Sequence, residues 1–296
     1  MTFENSVRSD APKQSSSCEL INNTSITRDI FRLDFVWSGP APRAGQFFMV
    51  KPKRSSVFLG RPISVALWEP VAADDDFVRK KVRDKQNPCQ RYMTAKYLNS
   101  NTVKFLVARR GKGTEELSDM RPGEEAELTG PLGNGWTDFL SSGEKPIALI
   151  AGGIGLAPLE ALISEQPEGN FDFYAGFRTG FRNIKEKDAL LGPATLRANN
   201  LIIAAENSKD GLKGLIPDFL EPGKYRAVCA CGPAPMLKIV AARCKDAGVP
   251  CFVSLERIMA CGVGACLGCA VAAVNGSRRC CADGPIFPAE ELIFDE

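Results

Sequence analysis

Near the C-terminus, the stretch "ERIMACGVGACLGCAVAAVNGSRRCCADGPIF" gathers five of the chain's eleven cysteines. Cys261, Cys266 and Cys269 follow a C-x4-C-x2-C spacing, and Cys281 comes twelve residues later. That is the plant-type spacing for a 2Fe–2S cluster. Four thiolates must converge on two irons, and a tight loop can supply three of them from one stretch of backbone. Gly262, Gly264 and Gly268 can adopt the positive φ values of such a loop. Lacking side chains, they also let backbone N–H groups approach the sulfurs and offset the cluster's negative charge. The apolar segment Ala270–Val274, followed by "NGS", reads as a strand and turn that return the fourth thiolate. Whether that thiolate is Cys280 or Cys281 is open locally, since neighbours on a strand face opposite ways and only one can point at the cluster. Three other readings compete. A structural zinc site usually shows two short-spaced pairs, and here the first gap is four residues. Plain burial accounts for Cys18, Cys89, Cys229, Cys244 and Cys251. Disulfides are disfavoured in a reducing compartment.

The rest of the composition narrows the chemistry. The chain of 296 residues contains no histidine, so the commonest metal ligand and general base is missing. Any demanding chemistry then falls to a cofactor. Lys and Arg number 37 against 35 Asp and Glu, which gives no basic stripe for nucleic acid. No run of eighteen apolar residues occurs, so no transmembrane helix is expected. The opening "MTFENSVRSDAPKQSSS" is polar, lacks the apolar centre of a secretory signal, and is expected to be a disordered lead-in over residues 1–17. The expected compartment is the cytoplasm.

The elements that would position this chemistry fall into segments. From about Lys145, strands alternate with helices. In "KPIALIAGGIGLAPLEALI" the apolar run Ile147–Ala151 leads into Gly152, Gly153 and Gly155, then a helix with Pro158 in its first turn and Leu159, Leu162 and Ile163 on one face. Strand, glycine turn and helix suit a pyrophosphate at a helix N-terminus. The full G-x-G-x-x-G is not met, and "FDFYAGFR" ends in Gly176, Phe177 and Arg178 without an acidic residue. Downstream, "YRAVCACGPAPMLKIV" runs a strand, Tyr225–Cys231, into Gly232 and Pro233, then a helix expected to bury Met236, Ile239 and Val240. A further strand, Leu201–Ala205, leads to the loop "ENSKDGLKG" with Glu206. Ligands in such sheets bind beyond the carboxyl ends of the strands, where all these turns fall.

Residues 18–142 instead read as short alternating strands with turn signals, an antiparallel barrel. In "IFRLDF", Phe31, Leu33 and Phe35 share one face. The charged stretch at about 71–101 is long for a connection and reads as an insertion or a partner-facing loop. "GRPISV" offers Arg61 and Ser64 around a stiffening proline, and "GKGTEEL" places glycines and Thr114 ahead of a helix.

Together, R-P-x-S, G-K-G-T, "GPLGNG", "GGIGLAP", "GFR" and "CGPAPML" resemble the ferredoxin–NAD(P) reductase superfamily. Within it, "ERIMACGVGACLGC" and "CADGPIF" are similar to the electron-transfer subunits of NAD-dependent dihydroorotate dehydrogenase, from about residue 18 to 290. The resemblance implies an antiparallel FAD-binding β barrel over 18–142, a Rossmann-like parallel-sheet NAD domain over 143–249 and a small 2Fe–2S module over 250–296. It implies FAD contacts from Arg61, Pro62, Ile63 and Ser64, with Leu106, Val107 and Ala108 beside the flavin and Gly113 and Thr114 at the pyrophosphate. Gly153, Gly155, Cys231, Gly232 and Pro233 would line the nicotinamide nucleotide site, and Cys261, Cys266, Cys269 and Cys281 would hold the cluster. It selects Cys281 over Cys280 because the family's fourth thiol directly precedes x-D-G-P. Val107 and Ala108 replace an aromatic–basic pair common in relatives, leaving Arg109 or the insertion to supply those contacts. Trp136 stands where phenylalanine is common, an apolar wall in either case.

The implied function is a relay. A catalytic FMN-containing dihydroorotate dehydrogenase partner, in a heterotetramer, would pass electrons through the cluster and FAD to NAD+. The same relay could serve a sulfhydrogenase or an NADH-dependent ferredoxin–NADP oxidoreductase. Arg178 and Arg182 leave NADP open. A redox sensor without turnover and a zinc scaffold are the readings of a different class.

Overall fold

The structure, a computed structural model, describes residues 14–71, 100–207 and 212–294. Its described residues divide into two compact units, one formed by those from Gln14 to Pro42 with those of Phe47–Pro131, the other by Arg43–Gln46 with those from Leu132 onward.

The first unit is a closed six-stranded antiparallel barrel. Its strands are β1 (Gln14–Ser25), β2 (Ile30–Trp37), β3 (Phe47–Pro52), β4 (Arg61–Pro70), β5 (Asn101–Ala108) and β6 (Glu125–Leu132). Alternation builds it: Leu33 and Phe35 of β2 enter the barrel core and Phe31 packs against it, as their spacing predicts. Trp37, Phe48 and Phe105 meet edge to face with centroids 5.0 and 5.7 Å apart. The expected lead-in is too long by four residues at least, because β1 begins at Gln14. Polar Ser15, Ser16 and Ser17 pair with Thr129, Leu128 and Glu127 of β6, and the Ser15 hydroxyl bonds both Glu127 and Thr129, so the ladder supplies the order that composition did not promise. The insertion lies almost wholly outside the described residues, as does Cys89. Its stems pair, Pro70 with Asn101, and Val71 N–H donates to the Ser100 carbonyl at 3.0 Å.

The second unit holds a seven-stranded sheet in the order β10-β9-β8-β7-β11-β12-β15. Its first six members, β7 (Ile147–Gly152), β8 (Phe171–Thr179), β9 (Asn200–Asn207), β10 (Leu212–Lys213), β11 (Ala227–Cys231) and β12 (Cys251–Ser254), run parallel. The edge strand β15 (Ile286–Pro288) is antiparallel to β12. Both strands lie within the segment 250–296 assigned by sequence to the cluster module. Every residue of β7 is buried, as a strand between two neighbours should be. One helix, Ala157–Glu165, follows β7 and buries Leu159, Leu162 and Ile163 as expected. Another, Ala234–Asp246, follows β11 and buries Leu237, Val240 and Cys244. Ile239 of that helix is exposed, contrary to expectation, because the buried stripe advances in steps of three and four from Leu237 and leaves Ile239 to one side. The hairpin β13 (Ala270–Ala273) and β14 (Gly276–Arg279) stands apart from the sheet, as the "NGS" turn predicts.

Candidate functional site

In the barrel, "GRPISV" and "GKGTEEL" come together. Gly113 opens the short helix α1 (Lys112–Ser118), and a Cβ built on it would lie 2.5 Å from Arg61 Nε. Only glycine lets that guanidinium lie across the turn, where its Nη1 also donates to the Leu59 carbonyl at 2.9 Å. The Thr114 hydroxyl accepts from Arg110 N–H at 2.9 Å and Gly111 N–H at 3.2 Å, so it shapes the turn. A guanidinium held beside a glycine turn fits an anionic group such as a flavin dinucleotide's pyrophosphate. Pro62 and Ser64 are half-buried, on the face of β4 opposite Ile63, which packs on the barrel core. Val107 belongs to that core too, while buried Leu106 and half-buried Ala108 do not. Arg109 is already committed. It pairs with Asp119 and stacks 4.7 Å above the Phe31 ring.

In the α/β unit, β8 lies on one side of β7 and β11 on the other, so the strand order reverses there. A crevice for a ligand opens at such a switch point, beyond the carboxyl ends. The two glycine turns meet at it backbone to backbone. A Cβ on Gly155 would lie 2.3 Å from the Cys231 carbonyl oxygen, one on Gly152 2.7 Å from Pro233 Cδ, and one on Gly232 2.9 Å from Gly152 Cα. This brings Gly153, Gly155, Cys231, Gly232 and Pro233 to one place. Gly153 itself turns with φ +56°. Burial, followed by the nearby Glu256, pushes the Cys231 thiol well up, so it stays neutral beside the crevice. At the end of β8, Arg182 is held by Glu186 through Nε at 3.0 Å, and its backbone N–H donates to the same carboxylate. Arg178 on the strand end is exposed. Trp136 is fully buried, and its Nε1–H donates to the Pro158 carbonyl at 2.9 Å, bracing the helix that follows the first turn.

The cluster loop sorts the cysteines. Cys261 contacts the Cys266 thiol, and Cys281 contacts that of Cys269. Among the described residues no three His, Cys, Asp or Glu donors surround a single point, and the thiols stand instead as two pairs. Backbone donors aim at the sulfurs: Val263 N–H at Cys261 Sγ (3.4 Å), Gly264 N–H at Cys281 Sγ (3.1 Å) and Cys281 N–H at Cys269 Sγ (3.4 Å). Two thiol pairs ringed by N–H donors fit the four thiolate positions of a 2Fe–2S cluster, and those donors would offset its negative charge. Cys261 is drawn down to about 6. Its burial opposes this, but N–H groups of Cys266, Val263 and Ala265 and the Cys266 thiol outweigh it. Cys281 is pushed up to about 12 by burial and by the neighbouring Cys269. Cys280 turns the other way: it is fully buried, its thiol donates to the Leu255 carbonyl at 3.2 Å, and burial raises it to about 12. Gly262 and Gly264 have φ of +68° and +83° as expected. Gly268 does not, and Leu267 takes the left-handed conformation there instead, with φ +59°. Cys18, Cys229, Cys244 and Cys251 are buried, in keeping with a packing role.

Two supports escaped the sequence reading. Arg279 grips Asp283 with Nε at 3.0 Å and Nη2 at 2.8 Å and reaches the Gly264 carbonyl with Nη1, tying the loop to the turn after β14 that carries Cys281. The four-residue spacing of Arg279 and Asp283 was the available signal. Asn134, in "GPLGNG", clamps Ile286 by donating to its carbonyl at 2.8 Å and accepting its N–H at 3.0 Å. Nothing in a glycine-rich turn announces so distant a partner.

Comparison with known proteins agrees with this arrangement. Residues 256–293 match the family described as the iron–sulfur cluster binding domain of dihydroorotate dehydrogenase B. The electron transfer subunit of dihydroorotate dehydrogenase B (NAD(+)) from Clostridium acetobutylicum is 34% identical over 86% of this chain and 87% of that one. Its counterpart from Clostridium perfringens is 36% identical over 85% and 87%. Among solved structures, an NADH-dependent reduced ferredoxin–NADP oxidoreductase studied for flavin-based electron bifurcation superimposes with TM-score 0.68 at 25% identity, covering 94% of this chain and 90% of that one. The ferredoxin reductase in carbazole 1,9a-dioxygenase shares the fold, with TM-score 0.58 at 18% identity, over 84% and 70% of the two chains.

Proposed function

The chain belongs to the electron transfer subunits of NAD(+)-dependent dihydroorotate dehydrogenase B, and on that premise we propose that it carries electrons from an FMN-containing dihydroorotate dehydrogenase subunit to NAD+. The observation that carries the proposal is the pairing of Cys261 with Cys266 and of Cys269 with Cys281 inside a ring of backbone donors. When bound, the cluster exchanges single electrons, the flavin converts single electrons to pairs, and nicotinamide takes the pair. The chain's own work is to hold and orient. Arg61, Pro62, Ile63 and Ser64, with Leu106–Ala108, Gly113 and Thr114, form the FAD site. The backbone of Gly153, Gly155, Cys231, Gly232 and Pro233 receives NAD(H), and the four thiols hold the cluster. Glu186, by occupying Arg182, takes away one cation a 2′-phosphate would need, which favours NAD over NADP.

The side chains around the loop suit a docked partner. Cys266 is exposed, its neighbour Leu267 exposes 63% of its surface, and Ile258, earlier in the same segment, exposes 90%, with Val263 also open. Such an apolar rim is a fitting contact for a catalytic subunit. The assembly proposed is a heterotetramer in the cytoplasm, and no described helix is long and apolar enough to cross a membrane. The 25% identical oxidoreductase keeps a different partner in view, and co-purification separates the two.

The deciding experiment is an absorption spectrum of anaerobically purified protein before and after NADH or NADPH. Flavin bands over a broad iron–sulfur absorbance, bleached by NADH and poorly by NADPH, are expected. The isolated chain should reduce artificial acceptors with NADH and leave dihydroorotate untouched. A colourless protein containing zinc would overturn the proposal.

A further inference from the structure

The sheet of the second unit carries a cavity at its other edge. It has a volume of about 650 Å3 and lies where β11 and β12 begin, at Ala227 and Cys251. The glycine turns follow the far end of β11, five residues on, roughly 16 Å along a strand rising ~3.3 Å per residue. The floor is apolar. Phe139 and Phe252, their rings 5.3 Å apart and tilted by 31°, form one wall. Ala241 and Cys244 of the Ala234–Asp246 helix line the cavity too, as do Leu292 and Phe294. The charged residues of the lining are mostly basic, Arg226, Lys238 and Lys245 against one carboxylate, Glu290. Arg226 is held in place by bonds from Nε to the Ser141 carbonyl and from Nη1 to that of Lys145, which leave its other terminal nitrogen uncommitted by either. Lys238 and Lys245 form no ion pair with any described residue.

Cavities of a few hundred Å3 with apolar walls and a few polar groups that fix orientation are what small-molecule sites look like. Here the polar groups share one sign. We propose that this cavity is a binding site for a small amphipathic anion, a flat apolar body carrying a carboxylate or a phosphate, distinct from the nucleotide crevice. The body stacks between the phenylalanine wall and the helix, and the head meets the three cations. The reading rests on the cavity alone and stands whether or not the electron-transfer proposal holds.

Calorimetric titration of the full-length protein with naphthoate, naphthyl phosphate and neutral naphthylmethanol tests it, each run with and without saturating NADH. Either anion should bind with a Kd below about 1 mM, the alcohol should bind at least ~10-fold more weakly, and NADH should change neither result. The tighter anion identifies the head group. Replacing both Lys238 and Lys245 by Gln should weaken the anion about tenfold, and Ala241→Trp should abolish binding while NADH oxidation persists. If Ala241→Trp fails to fold, the lysine variant carries the decision. Equal binding of alcohol and anions, displacement by NADH, indifference to the lysines, or no binding at all overturns the site.

Discussion

At the scale of single residues, the cluster was the most legible part of the chain, because thiol ligation demands particular atoms at particular intervals. What spacing could not do was choose between two adjacent cysteines. Direction in the fold supports Cys281: it accepts the Gly264 N–H and faces Cys269, while Cys280 donates to Leu255. Cys281→Ser should therefore abolish iron loading and the broad visible absorbance. Cys280→Ser should keep both, because its hydroxyl still donates to the Leu255 carbonyl. Iron analysis of the two purified variants separates them, and loss of iron in both would count against the assignment. Asp34 was invisible as a special residue because "RLDF" reads as outward polar alternation. It is instead buried, and burial raises its carboxyl pKa in spite of Lys104 and the Asn22 amide. A raised carboxyl favours the fold in acid, below the ordinary carboxylate pKa, and that contribution is lost as pH rises through the folded value. Asp34→Asn removes the buried charge, so its stability relative to the native chain should improve from acid to neutral pH. Urea unfolding at each pH checks this, and a pH-independent difference would contradict it.

At the scale of elements, the strand–turn–helix units were readable because hydrophobic period and glycine position agree. The reason for the glycines was not. Pyrophosphate binding was the expectation from sequence, and the structure adds packing: Gly152, Gly155 and Gly232 are small because two turns press together backbone to backbone. Gly155→Ala must push the Cys231 carbonyl away from its 2.3 Å encounter. The turns would part, at a cost of roughly 1–3 kcal/mol for an overpacked site. NADH affinity should fall about tenfold or more, while flavin content, set by the barrel, stays normal. Stopped-flow titration of flavin bleaching with NADH reads the first and the flavin-to-protein ratio the second. Unchanged affinity would leave the turns without a part in binding nucleotide. Ile239 shows the opposite limit of pattern reading. It is apolar and sits in a helix, yet two residues from Leu237 is the wrong angle, and composition cannot see angles.

At the scale of the molecule, sequence separated segments that the fold interleaves. The C-terminal segment reads as an appended module, yet after delivering Cys281 it re-enters the main sheet as β15, antiparallel to β12. Removing the last forty residues would thus strip the sheet of an edge strand as well as the cluster of its ligands. A subtler perturbation tests the connection. Asn134 lies 152 residues from Ile286 and satisfies both its backbone groups, and its own N–H donates to the Gly284 carbonyl at 2.7 Å. Asn134→Ala leaves the buried Ile286 N–H and carbonyl without these partners, at a cost of about 1–3 kcal/mol. For a unit of this size that lowers Tm by roughly 2–4 °C per kcal/mol. The stretch it anchors, Asp283–Ile286, directly follows the fourth thiol, so the cluster should feel the loss before the flavin does. Heating the variant while following both absorbances should show iron–sulfur bleaching at a lower temperature than in the native chain, with flavin release moved less. Coincident, unshifted transitions would mean that the clamp contributes nothing to holding the Cys281 turn in place.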